Sequence, residues 1–576
     1  MVPLTGNAIK VLRSRYLLKD DEGRVVETPE EMFRRVSGFV AEAEKGYGKG
    51  RALWEDRFFE IMSSGRFLPN SPTLMNAGKD IGQLAACFVL PVEDSMLGIF
   101  NTLRDAALIL QSGGGTGFAF SHLRPREDIV HSTGGMASGP VSFMKIYNTA
   151  TDVIKQGGAR RGANMGMLRV DHPDIVEFIR SKKDVDEFLN FNISVAVTDG
   201  FIRAVKNGSR YSMKNPRTGQ KAGTLDAKAV FNELVDSAWL TGDPGIVFID
   251  RVNRDNPTPG LGEIESTNPC GEQPLLPYEA CILGSLDLSK YVKGSFLDSE
   301  GEEPYIDHDS LERDICTAIR FLDDCIDVNK YPLKEIEEMH RGNRKIGLGV
   351  MGLADMLVLM GVPYRSLEAT ALARKIMQFI NRVSKRESSF LAGSRGPFPN
   401  FSGSIYDKRG MPLLRNATTT TVAPTGTLSL IADCSSGIEP YFALAYKRAV
   451  LETKITVSNK YLFTLARKKG FYSKGLRQHV MEHGTLKGVK KVPEKIKRLF
   501  MTAHELHYKD HIEMQAAFQK YTDNAVSKTV NMPHSSKRGD VARAFMLAYE
   551  KGCKGITVFR SGGARKGAIA RIADTD

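Results

Sequence analysis

Asn268-Pro269-Cys270-Gly271-Glu272 sets polar residues two positions before and two positions after a cysteine. In an extended or loop backbone such positions share one side, so Asn268, Cys270 and Glu272 face together while Pro269 stiffens the turn. The carboxylate suits a general base, the amide an orienting donor, and the thiol a reactive centre. Cys281 follows eleven residues later, and Cys87 lies far upstream in an apolar run. The plain alternative is that cysteines outside disulfides act as small buried hydrophobes. Cys316, Cys325, Cys434 and Cys553 read that way, the first two on an amphipathic helix.

Around this string, short apolar runs at 85–90 and 192–197 alternate with helical periodicity at 100–111 and 227–240. Strands interleaved with helices imply βα units, hence a sheet or barrel covered by helices. The run 346–360 is Gly-rich and contains Asp355, so it reads as buried barrel material and not as a membrane span. Thr28, Pro29 and Glu31 combine a cap, a first-turn proline and a capping-box glutamate, and the first sixty or so residues read as helical. Periodicity predicts one long helix over 364–390, and another helix beginning at His172-Pro173-Asp174. The 291–308 stretch reads as a polar surface excursion, and 467–497 as solvated basic helices and loops.

Pro424-Thr425-Gly426-Thr427-Leu428-Ser429 reads as a turn opening a helix, whose N–H groups suit a phosphate. Ser112-Gly113-Gly114-Gly115-Thr116-Gly117 lacks the lysine of a phosphate-binding P-loop, and no dinucleotide spacing fits it. The 155–164 stretch is cationic and Gly-bounded, and by itself reads as a surface loop with exposed arginines. His504, His507 and His511 fall at helical spacings but not in the order HExxH, so no metal site is expected there.

With 42% hydrophobic and 25% charged residues, the 576-residue chain has an enzyme-like composition. A net charge of +12 suits nucleotides as well as nucleic acids. The absence of helix-turn-helix, zinc-finger and RNP strings argues against a nucleic-acid partner. Seven irregularly spaced cysteines without a CxxC argue against a stapled secreted scaffold and a zinc ribbon. No apolar signal core opens the sequence, and a cytoplasmic protein with no membrane partner is expected.

Taken with these loops, the cysteine string resembles the large subunit of ribonucleotide reductases, most closely the adenosylcobalamin-dependent class. The strings ETPEEMF, SGGGTGFAFSHLRP, TGGMASGPVSFM, GGARRGANMG, HPDIVEFI, DNAVSKTVNMP and GCKGITVFRSG carry that likeness from about residue 4 to 562. The resemblance implies a ten-stranded α/β barrel with an internal finger loop. It divides the chain into a helical N-terminal region (1–66), the barrel (67–560) and a flexible basic tail (561–576). It makes Cys270 the thiyl-radical residue, Glu272 the base for the 3′-hydroxyl, and Asn268 the residue that orients the ribose. Cys87 and Cys281 become the reducing pair, which closes to a disulfide. Asn70, Ser71, Pro72 and Thr73 are expected to bind substrate together with Pro424, Thr425, Gly426, Thr427, Leu428 and Ser429. Asp94, Arg124, Ala159, Arg160, Arg161 and Gly162 are expected to serve a dNTP or ATP effector and its specificity signal.

The resemblance further implies ribonucleotide substrates, diphosphates rather than triphosphates, adenosylcobalamin, a dithiol reductant such as thioredoxin, and a homodimer. No paired tyrosines of a radical relay stand near the C-terminus, which favours cobalamin over a separate iron or manganese subunit. The lower-ligand string DxHxxG is absent, so cobalamin is expected to bind without a histidine from the protein. An ATP-cone and a C-terminal cysteine pair, both common in the family, are not expected from this sequence. Three alternatives stand beside this reading: a reductase needing a metal radical subunit, another glycyl- or thiyl-radical barrel, and a non-enzymatic nucleotide-binding protein.

Overall fold

The computed structural model describes residues 4–48, 50–130, 134–156, 160–298, 303–450, 453–564 and 569–570. Helices α1 (Gly6–Arg15), α2 (Pro29–Ala41) and α3 (Arg51–Ser63) lead the chain. The cap of α2 forms as its sequence dictates. The Glu31 N–H donates to Thr28 Oγ1 at 3.2 Å, and the Thr28 N–H donates to the Glu31 carboxylate at 2.8 Å. The apolar stripe of α2, with Met32, Phe33, Val36 and Val40, is buried.

A short strand, β1 (Phe67–Pro69), leads into the barrel strands. These are β2 (Cys87–Pro91), β3 (Gly115–Ala119), β4 (Asn164–Arg169), β5 (Phe191–Val197), β6 (Gly245–Phe248), β7 (Ala280–Asp287), β8 (Ile346–Met351), β9 (Thr529–Met532) and β10 (Gly555–Arg560). Strands β2 to β6 run parallel in chain order. Beyond β6 the direction reverses: β10 pairs antiparallel with β6 and parallel with β9. Strand β7 pairs antiparallel with β2 and β1, and parallel with β8. The gap between β8 and β9 is spanned by residues 418–422, through parallel bridges from Thr420 to Leu348 and from Val422 to Val526. The ring thus closes with ten staves, as two parallel halves of five joined at two antiparallel junctions. Every residue of β7 and β8 is buried, which explains their near-continuous apolar sequences.

Helices α4 (Met96–Gln111), α5 (Pro140–Val153), α6 (His308–Val328) and α7 (Leu367–Arg395) belong to the cover. The long helix runs five residues past its expected end. Two expectations need correction. The helix after His172-Pro173-Asp174 begins only at Ile175, because His172 Nδ1 accepts the Asp174 N–H at 3.0 Å and holds a turn there. The basic 467–497 stretch is not merely solvated, since its helices enclose a core of their own around Leu465, Leu476, Val480 and Phe500.

An ionic knot ties the leading helices to the barrel cover. Arg395 reaches Glu44 at 2.5 Å, Asp323 at 2.9 Å and Asp324 at 2.6 Å, with all four side chains fully buried. Arg344 and Arg415 reach the same Asp323 at 2.8 and 3.2 Å, and Arg320 reaches Glu44 at 2.9 Å. The surrounding guanidiniums hold Asp323 well below the usual carboxylate range despite its burial.

Candidate active site

The finger loop is a hairpin. Ser266–Thr267 pairs antiparallel with Pro274–Leu275, which lifts residues 268–273 to a tip. The hairpin lies across β3 so closely that a Cβ on Gly117 would stand 1.8 Å from the Thr267 carbonyl oxygen. Gly271 turns the tip with a φ of +81°, a left-handed conformation that glycine adopts without strain. The Asn268 N–H donates to the Gln273 carbonyl at 3.1 Å, and the Gln273 N–H donates to Asn268 Oδ1 at 3.0 Å. Asn192 Nδ2 donates to the Pro269 carbonyl at 2.7 Å, and Thr421 Oγ1 donates to the Glu272 carbonyl at 2.9 Å. Neither Asn192 nor Thr421 was singled out in the sequence. For Asn192 the one signal was a polar residue interrupting an apolar strand, and Thr421 had none within its run of threonines.

The three thiols and two polar groups of the sequence reading converge. Cys87 and Cys281 are direct partners across the antiparallel junction of β2 and β7. Facing residues in such a ladder have Cβ atoms about 4.5–5.5 Å apart, so their Cα atoms fall within the ~7 Å that a disulfide spans. Asn268 Nδ2 lies 3.1 Å from Cys87 Sγ. Burial pushes both thiols of the pair well above the ordinary cysteine value, with the Glu272 carboxylate adding to the effect. Burial also raises the Glu272 carboxyl to about 7, against the hydrogen bond from Asn268 that holds it down. Glu272 Oε2 and both amide atoms of Gln273 are buried without a hydrogen-bond partner among the described residues. Such groups are costly unless a ligand satisfies them.

Cys270 is exposed, because the Gly271 turn carries it beyond its buried flanks Asn268 and Glu272. The disulfide of the Cys87 and Cys281 pair is not formed: none of the seven cysteines is bridged, and the buried pair stands in the thiol form.

Both proposed substrate segments border the pair. Ala423, which leads into the 424–429 loop, packs against the cluster holding Cys87 and Cys281. In that loop Thr425 is left-handed at φ +51°, its Oγ1 accepting the Gly437 N–H at 2.7 Å, and Ser429 Oγ meets Ser436 Oγ at 2.8 Å. Asn70 spends its side chain on the backbone: Nδ2 donates to the Leu84 carbonyl at 2.8 Å and Oδ1 accepts the Leu283 N–H at 3.0 Å. Thr73 also donates to Leu84, and Ser71 Oγ meets the Tyr16 hydroxyl at 2.8 Å.

The remaining candidates make contacts of their own. Asp94 accepts both the Arg124 N–H at 3.0 Å and Arg124 Nε at 2.9 Å. Ala159 lies outside the described residues, and for Arg160 and Arg161 only the backbone is described, as a strand facing Lys155–Gln156. A Cβ on Gly162 would stand 2.5 Å from the Thr151 methyl, so the glycine lets this segment pack on α5. His511 is buried between the Ala503 carbonyl at 3.0 Å and Lys528 Nζ at 2.9 Å, and burial pushes its imidazole well below the usual range. His504 meets Ser561 Oγ at 3.1 Å, whereas His507 caps the Tyr508–Gln519 helix.

Comparison with known proteins agrees with this geometry. Residues 85–559 match the family model "Ribonucleotide reductase, barrel domain", and residues 3–82 match "Ribonucleotide reductase, all-alpha domain". A vitamin B12-dependent ribonucleoside-diphosphate reductase of Thermoplasma acidophilum is 49% identical, over 97% of this chain and 79% of that protein. A relative of the same description from Mycobacterium tuberculosis is 47% identical, over 98% of this chain and 80% of its own length. The fold also matches the class Id ribonucleotide reductase alpha subunit of Actinobacillus ureae, with a TM-score of 0.78 at 22% identity, over 97% and 98% of the two chains. The chain therefore belongs to the ribonucleotide reductase family, among its vitamin B12-dependent catalytic chains.

Proposed function

We propose that this chain reduces ribonucleoside diphosphates to 2′-deoxyribonucleotides, with Cys270 as its radical-bearing thiol. The observation that carries the reading is the convergence of Asn268, Cys87, Cys281 and Glu272 behind the exposed tip at Cys270. In this scheme the Cys270 thiyl takes the 3′ hydrogen atom of the ribose, and Glu272 takes the 3′-hydroxyl proton. The 2′-hydroxyl then leaves as water, while Cys87 and Cys281 supply two electrons and two protons and become a disulfide. Glu272 returns its proton to the 3′ oxygen, and Cys270 returns the hydrogen atom to the 3′ carbon, which regenerates the thiyl. The raised thiol values of the pair keep both protons in place until they are needed. Asn268 orients the ribose hydroxyls, and the 70–73 and 424–429 segments receive the remainder of the nucleotide.

Adenosylcobalamin, when bound, supplies a carbon-centred radical by homolysis of its carbon–cobalt bond. The residues present fit such a group: Cys270 and Gly271 offer it an accessible face, while the other thiols of the site are buried out of its reach. Asp94 and Arg124, with the 159–162 segment, take a dNTP or ATP effector in this reading. A homodimer is supported by the apolar outer faces of α4 and α5, where Met96, Leu97, Phe100 and Val153 are exposed. A thioredoxin-like dithiol protein would return the disulfide to thiols. The division into a helical region (1–66), barrel (67–560) and basic tail (561–576) is retained as the working organisation. No helix among the described residues is long and apolar enough to cross a membrane, and cytoplasmic residence remains the working assignment.

The test is deoxyribonucleotide formation from CDP, ADP, UDP and GDP with a dithiol, a matched effector, and adenosylcobalamin present or omitted. Product that requires adenosylcobalamin and vanishes in Cys270→Ala supports the proposal. Product that forms without the cofactor, or survives in Cys270→Ala, overturns it.

A further inference from the structure

We infer that Arg15 and Arg448 are the cations that bind the substrate's diphosphate at the 424–429 loop. The inference rests on that loop being the phosphate site. Residues 424–429 contain no lysine or arginine, so the loop by itself offers only N–H groups and hydroxyls to a strongly anionic ligand. Two guanidiniums reach it from elsewhere in the chain. Arg15, in the last turn of α1, directs Nη1 to Thr427 Oγ1 at 3.3 Å. Arg448, on a strand running Ala445–Val450, donates from Nη1 to the Gly426 carbonyl at 2.9 Å. Its Nη2 lies 2.8 Å from where a Cβ on Gly426 would stand, so the guanidinium rests directly on the glycine.

The setting of Arg448 differs from that of the arginines in the ionic knot. Arg344, Arg395 and Arg415 each face a carboxylate. Arg448 faces none among the described residues, and burial pulls its guanidinium below the ordinary value. A partly desolvated cation without a counter-charge is costly, and an anion at the loop would relieve that cost. The planar fork of arginine matches phosphate oxygens in pairs. The two residues lie far apart in the chain and meet on consecutive loop positions, Gly426 and Thr427. A mere loop clamp would need neither of them to be charged.

The experiment is steady-state reduction of CDP by the holoenzyme, with pyrophosphate as a competing inhibitor. Arg15→Ala and Arg448→Ala are each expected to raise KM for CDP and the inhibition constant of pyrophosphate about tenfold, the loss of one charge-assisted contact. In both, kcat should stay within about threefold, and Lys variants should recover part of the loss. Should Arg448→Ala not fold, Arg448→Gln keeps an amide donor for Gly426 and removes only the charge. A fall in kcat with KM and pyrophosphate inhibition unchanged would mean that the arginines only shape the loop, and would overturn the inference. Thr427→Ala and Ser429→Ala separate the two levels. If they raise KM while the arginine variants do not, the inference fails and the phosphate loop stands. If neither set moves KM, both fail.

Discussion

Asn268 hydrogen-bonds Cys87: the amide Nδ2 lies 3.1 Å from Sγ, while Oδ1 of the same side chain holds the Gln273 N–H at 3.0 Å. One side chain therefore fixes the shape of the finger and touches a thiol of the Cys87 and Cys281 pair. Asn268→Ala removes both contacts and leaves a buried N–H unpaired. Turnover is expected to fall about 100-fold, the loss of roughly 2–3 kcal/mol of preorganisation. A turnover within threefold of wild type would show that Asn268 is incidental.

Glu272 should impose a pH dependence. Its carboxyl, raised to about 7 by burial, must be ionised to accept a proton, so kcat/KM should climb as pH rises through 7. Glu272→Gln should lose the activity along with this acid limb. Stability runs the other way. Because the folded value exceeds the ordinary 4.5, the contribution of Glu272 is complete below 4.5 and is lost as pH rises through 7. The loss amounts to about 3 kcal/mol, and a flattened stability profile in Glu272→Gln, measured by denaturant unfolding, checks it.

The reducing pair can be caught after one turnover. Without external dithiol, the enzyme should yield one deoxyribonucleotide per site and a disulfide joining the Cys87 and Cys281 peptides, read by mass spectrometry. Cys87→Ser and Cys281→Ser should each show no such link and no deoxyribonucleotide. A cross-link to any other cysteine would assign the reductant elsewhere.

Gly117→Ala tests the fit of the finger. The added methyl would meet the Thr267 carbonyl, a backbone group that moves only if the whole hairpin shifts. Activity should drop at least 100-fold while the remainder of the barrel stays folded, because misplacement by about 1 Å suffices for such a loss. Wild-type rates in Gly117→Ala would show that the hairpin is not rigidly seated.

Asp323→Ala addresses the ionic knot. Removing the shared carboxylate leaves Arg344, Arg395 and Arg415 short of counter-charge in a buried site. A loss of about 3–5 kcal/mol is expected in equilibrium unfolding. A change below 1 kcal/mol would mean that water reaches the knot.

The finger was legible in the sequence because its information is local: Asn268, Cys270 and Glu272 are spaced so that any turn gathers them. The capping box at Thr28 and Glu31, and the burial of the 346–360 run, were legible for the same reason. The tenth stave was not. Thr418-Thr419-Thr420-Thr421-Val422 has no strand-like alternation, and it enters the ring through two isolated bridges set by distant partners. The knot was equally hidden, since nothing local to Glu44 or Arg395 marks them for burial and only the fold brings them together. The exposure of Cys270 depends on how far Gly271 swings the tip, which no spacing rule encodes. Asn70 promised a polar contact for substrate, yet its amide is consumed by the Leu84 and Leu283 backbone.

The two parallel halves of the barrel meet at two borders, and Cys87 and Cys281 lie on opposite sides of one of them. A bond between these sulfurs would be a stitch across a border, drawn tight with each deoxyribonucleotide made and undone by each reduction. The other border, between β6 and β10, has no cysteine on either strand. Oxidation would therefore fasten the cylinder along one side only.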